Sequence, residues 1–140
     1  MQNLVSLSKM VIIMLIAGLL STMNIYAVNI SHIKLHLNDF YMVGLMISWT
    51  MILTLFLDFN NYIIIIITII SLFVILYAIR TQLFVSDRQF LNGMIPHHSM
   101  AILMSKNILR KTKDERIIKL AQNIIKTQNQ EIELMQNILS

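Results

Sequence analysis

The chain has 140 residues and a formal charge of +4, enough for one ordinary domain on length alone. It is 56% hydrophobic and only 13% charged, with a mean hydropathy of +0.70, whereas soluble domains carry about 25% charged residues. Three Gly and one Pro exclude a turn-rich β fold, and the lack of Cys excludes disulfides, thiolate zinc sites, Cys-ligated iron–sulfur clusters and cysteine nucleophiles.

The apolar residues are concentrated in three runs, at about 10–27, 40–57 and 62–79. Each is close to the ~20 residues that cross a ~30 Å hydrocarbon core. The third contains Ile63-Ile64-Ile65-Ile66-Ile67. A helix that is apolar on every side has no stripe to turn toward water and belongs in lipid. The expectation is an all-α chain: residues 1–82 form a membrane anchor of three transmembrane helices, followed by an extracytoplasmic helical hairpin at 83–140. The first run also resembles a signal peptide, because Lys9 precedes it. Its cleavage signal is poor: Ile25-Tyr26-Ala27 places a bulky Ile where a small residue is wanted. Either way the C-terminal part ends on the outer side. Charge leans mildly the other way, since Lys34, Arg80 and Arg88 fall on the outer side and only Lys9 on the inner.

The connector between the first two runs holds His32 and His36, at i and i+4. On this topology it shares a side with the C-terminal hairpin, so both imidazoles are candidates to lie near any metal site there.

Beyond Arg80 the chain becomes polar and basic. Ser86-Asp87-Arg88-Gln89 has the capping-box pattern, and apolar residues recur from Phe90 through Ile108. Pro96 sits inside this stretch and predicts a kink. A second capping pattern, Thr112-Lys113-Asp114-Glu115, predicts the start of another helix with Ile117, Ala121, Ile124, Ile132, Met135 and Ile138 on one face. The link is short, so the two helices are expected to fold back antiparallel as a half-bundle. Such a pair buries little surface. It is expected to associate with a second copy as a homodimeric four-helix bundle, or to lie against the membrane portion.

The candidate chemistry is concentrated in Met94-Ile95-Pro96-His97-His98-Ser99-Met100, with Met104, at i+7 from His97, on the same stripe. Gln128, Glu131 and Met135 follow at steps of three and four on the second helix. Thioethers are soft and favour Cu(I), while imidazole suits copper, zinc, iron and nickel; without a thiolate, His plus Met points to copper first. Few carboxylates are in reach beyond Asp87 and Glu131, and the Glu-x-x-His pairs of di-iron bundles are absent.

Residues 87–139 resemble the domain-of-unknown-function family numbered 305. The resemblance rests on Asp87-Arg88-Gln89-Phe90-Leu91, Gly93-Met94-Ile95-Pro96-His97-His98-Ser99-Met100-Ala101-Ile102, Leu120-Ala121, Gln128, Glu131-Ile132 and Met135. Asn38-Asp39-Phe40-Tyr41-Met42-Val43-Gly44-Leu45-Met46 and Ile79-Arg80-Thr81-Gln82 are similar to the membrane-anchored branch of that family. The resemblance implies a ferritin-like helical domain held outside the cytoplasmic membrane of a bacterium, with copper handling as an activity suggested for some members. It implies Met94, His97, His98, Met104 and Met135 as metal ligands, with Asp87 and Glu131 as weaker ones. The branch usually carries basic residues between spans two and three, where this chain has Asp58-Phe59-Asn60-Asn61.

The function expected from this is copper binding or buffering by a membrane-anchored, non-enzymatic protein. Its expected partners are membrane lipid, a second copy and a copper-transport protein, with no nucleic acid. The alternatives are a structural dimerisation or docking module without a metal role, and a ferritin-like metal oxidase.

Overall fold

The computed structural model describes residues 2–57 and 62–140. Asp58-Phe59-Asn60-Asn61, on which part of the topology argument rests, lies outside the described residues. Among those described there are five α-helices and no strand: α1 (Gln2–Leu20), α2 (Leu37–Leu57), α3 (Tyr62–Thr81), α4 (Asp87–Leu109) and α5 (Glu115–Leu139). Two short 3-10 turns, Met23–Tyr26 and Ile30–His32, lie between α1 and α2. The chain divides into two compact units. One is Met1–Thr22 with Leu37–Val85, and the other is Met23–His36 with Ser86–Ser140. The α1–α2 connector therefore belongs with the hairpin, an assignment the expected division at 82/83 does not contain.

In the first unit α2 lies between α1 and α3. A Cβ on Gly18 of α1 would stand 2.8 Å from Val43 Cγ1, so only glycine permits this approach. Gly44 of α2 likewise faces Ile75 of α3. Val43, Ser48 and Met51 of α2 and Thr68, Leu72 and Ala78 of α3 are buried. The buried hydroxyls are satisfied within their own helices: Ser48 donates to the Gly44 carbonyl at 2.9 Å and Thr68 to the Ile64 carbonyl at 2.7 Å. At one end Asn38 donates to the Gln82 side chain at 3.0 Å and the Tyr41 hydroxyl donates to the Leu83 carbonyl. The Leu83 N–H bonds back to the Ala78 carbonyl, which closes α3 with Gln82 at φ +50°, a left-handed position taken here by a non-glycine residue.

Among the described residues two segments are long and apolar enough to cross a membrane, Leu7–Tyr26 and Tyr62–Thr81. α2, expected as the middle span, is not one of them; its first turn carries Asn38 and Asp39 and its length carries Ser48, Thr50 and Thr54. The first expected span also ends early as a helix, at Leu20, where the chain passes into the 3-10 turns.

In the second unit α4 and α5 form an antiparallel hairpin. Leu91, Ile95, His98, Ile102, Ser105 and Leu109 recur along α4 at alternating steps of four and three. Ala121, Ile125, Gln128, Ile132, Met135 and Leu139 do the same on α5. Such a stripe keeps one seam of each helix against its neighbour. Ile95, Ile102, Ile132 and Met135 form the buried centre, with Val28, Leu91, Met94 and Leu139 packed around it. The Ser86 side chain caps α4 by accepting from the Gln89 N–H, as the sequence predicts. α5 starts later than predicted: Asp114, not Thr112, is its cap, accepting from the Arg116 N–H at 2.9 Å. Thr112 instead accepts from the Asp114 N–H at 3.2 Å, so the hydroxyl shapes the turn.

Candidate metal centre

Three sides of α4 carry different surroundings, and they sort the candidate residues. The first side meets α5. Here His98 is 9% exposed, and its Nδ1 lies 3.1 Å from Glu131 Oε2, at ion-pair distance without hydrogen-bond geometry. The same carboxylate oxygen accepts from Gln128 Nε2 at 3.1 Å. Amide, carboxylate and imidazole thus form one chain across the seam. Burial holds the His98 imidazole below the ordinary histidine pKa; Glu131 pulls it up and His97 pushes it down. A neutral imidazole is the form that binds a metal. The His97 ring centroid is 5.9 Å from that of His98, tilted by 57°, and His97 is exposed.

The second side of α4 meets the connector. Ser99 is fully buried, and its Oγ accepts from the Val28 N–H at 2.8 Å. The Oγ also sits 2.9 Å from His32 Nδ1. The hydroxyl keeps its proton and a second lone pair for this contact, so it pairs with His32 in either tautomer. His32 is 6% exposed; burial, then the Lys34 charge, lower its pKa. His36, 2% exposed, lies over Gly93, where a Cβ would stand 3.3 Å from its Nδ1. The two connector histidines do not share a helical face: His32 ends a 3-10 turn and His36 lies outside any helix, just before α2. Both are bound to the face of α4 that carries Gly93 and Ser99.

The seven predicted site residues are not one cluster. His97, His98 and Glu131 come together around the middle of the hairpin. Met94 and Met135 pack in or against the apolar centre beside them. Met104 is 59% exposed and lines an apolar groove of about 490 Å³ near the α4–α5 turn, with Ile108, Ile117, Leu120 and Ile124. At ~1.5 Å of rise per residue it is roughly 9 Å along α4 from His98. Asp87 is exposed in the first turn of α4, roughly 16 Å from His98 on the same measure. Among the described residues no three His, Asp or Glu side chains come close enough together to hold a metal ion. The donors near His98 fit a soft or borderline metal by type, while one copy of the chain supplies few of them. Ser99 and Gly93 were not singled out for a role in the sequence, because a small residue next to a His-His pair carries no signal of what packs on it.

The class defined by this arrangement is a helical protein with an antiparallel, histidine-bearing hairpin. Residues 76–139 match the family described as Domain of unknown function (DUF305), and the chain belongs to that family. It is also 54% identical over 134 residues to "Uncharacterized protein L153" of Acanthamoeba polyphaga mimivirus, covering 93% of this chain and 88% of the viral protein. That relative comes from a giant virus and gives the bacterial expectation no support. No solved structure matches.

Proposed function

We propose that this chain is a membrane-anchored metal-binding protein, with copper as its metal, His97 and His98 as ligands, Met94 as a soft donor and Glu131 as the group that orients His98. The observation that carries the reading is the contact of the nearly buried His98 with Glu131, itself held by Gln128, beside a free-facing His97. A carboxylate at one imidazole nitrogen fixes the ring and leaves the other nitrogen to coordinate. Imidazole and thioether donors together favour copper over zinc.

The anchor reading extends to three spans. On α3, Ile63, Ile66, Ile70, Phe73 and Tyr77 are all more than half exposed, as are Ile12, Ile16 and Leu20 on α1 and Met42 and Leu53 on α2. Surface of this kind is stable in lipid and not in water. Connectivity supports α2 as well: Val28 and Ser99 are hydrogen-bonded, so they share a side of any membrane, and only α2 and α3 separate them along the chain. If α3 crosses, α2 crosses back.

The test is metal analysis of the full chain, purified in detergent from copper-supplemented cells, beside His97→Ala/His98→Ala. Copper is expected with the parent and not with the variant. Equal metal in both removes the reading.

A further inference from the structure

The third side of α4 is uncovered. On α4 it presents Phe90, Met94, His97, Ala101, Met104 and Ile108, again at steps of four and three. On α5 the matching stripe is Ile117, Leu120, Ile124, Thr127, Glu131, Leu134 and Ile138. All seven exposed large apolar residues of the two helices fall on these stripes: Phe90, Met104 and Ile108 on α4, and Ile117, Leu120, Leu134 and Ile138 on α5. The groove near the turn, lined from both helices, shows that the stripes open on one side of the hairpin. Each helix therefore carries two adjacent apolar seams. One is used within the hairpin, and the second is what a helix needs to enter a four-helix bundle.

We infer that a second copy of this chain packs antiparallel on this open side, closing a four-helix bundle in which α4 lies over α4 of the copy, His97 meets its counterpart and the metal site is shared. The placement of His97 and Glu131 argues for a copy over a lipid surface. Both lie in the middle of the stripe, with apolar residues on either side, and a carboxylate there resists burial in hydrocarbon. Facing a second copy, the two imidazoles and the carboxylates beside them form one polar layer that a cation can bridge. Charge sets the direction. The turn end carries Lys106, Arg110, Lys111, Lys113, Arg116 and Lys119 against Asp114 and Glu115, while the far end carries Asp87 against Arg88, with Glu131 and Glu133 between the two. Antiparallel docking keeps the two basic ends apart, over the neutral far ends; parallel docking stacks them on each other. The sharing of the site rests on the metal-binding reading; the docking does not.

The chain has no Cys, so single substitutions report cleanly. The full chain in lipid vesicles, kept in chelator, is treated with a short bis-maleimide cross-linker as His97→Cys and as Gln130→Cys, which lies on the polar outer face of α5. Cross-linked dimer is expected from His97→Cys, at least tenfold more than from Gln130→Cys. Adding Leu120→Asp and Leu134→Asp is expected to abolish it while circular dichroism stays unchanged, because both leucines are 59% exposed in the hairpin. Monomer throughout, or equal cross-linking at both positions, overturns the docking even if copper binds. Copper bound by the parent chain at one ion per two chains supports the shared site, and one ion per chain overturns it. A cross-linked dimer that binds no copper supports the docking and instead removes the metal-binding reading.

Discussion

Ser99 is the residue on which the second unit closes. Its hydroxyl is the partner of both the Val28 N–H and His32, and the serine and the imidazole are both buried. Ser99→Ala leaves a buried imidazole nitrogen without its partner, at a cost of about 1–3 kcal/mol, and releases the half-buried Val28 N–H. Chemical denaturation of the full chain is expected to show the loss. His32 adds a pH dependence of defined sign. Its folded pKa lies below the ordinary value of 6.5, so the unfolded chain binds the proton more readily. Stability is therefore complete above that value and falls as pH drops through it, down to the folded pKa. Thermal unfolding between pH 7.5 and 5.5 is expected to slope in that sense, and His32→Gln to flatten it. An unchanged slope in the variant would mean that His32 titrates as freely folded as unfolded. The His-His pair was legible in the sequence because imidazoles advertise their chemistry. Ser99 was not, because a buried serine looks the same as a surface one.

At the scale of the helix, periodicity carried the reading furthest where one face is wet. The stripes of α4 and α5 alternate cleanly with charge, and the sequence places both helices and their antiparallel pairing. It also places the first cap at Ser86. It misses the second by two residues, because Thr112 and Asp114 are both good caps and the choice depends on turn geometry. It assigns Ile117 and Ile138 to the inner face, whereas they are 40% and 62% exposed and belong to the open stripe. Two neighbouring seams on one helix blur into a single broad apolar face in a sequence. The inner seam is what holds the hairpin: Ile102 is 1% exposed in its centre, and Ile102→Ala is expected to lower stability by about 2–5 kcal/mol. A loss under ~1 kcal/mol would show that the seam collapses around the deletion.

At the scale of the whole chain, the connector Met23–His36 belongs to the same compact unit as the later hairpin. A sequence reading that cuts the chain once, at 82/83, has no means of finding this, since the pairing of residues 28 and 99 is long-range and made by a backbone N–H. Ser31→Cys and Asn137→Cys are expected to label with a membrane-impermeant maleimide from the same face of sealed vesicles, and Thr50→Cys from neither; labelling from opposite faces would break the three-span reading. The Val28–Ser99 link also imposes an order on synthesis. The two groups are 71 positions apart, so at ~5–20 residues per second the ribosome delivers Ser99 roughly 4–14 s after Val28. For that interval the nascent connector waits with His32 and His36 uncovered, and a chain arrested before α4 emerges leaves both imidazoles open to whatever cation or chaperone reaches them first.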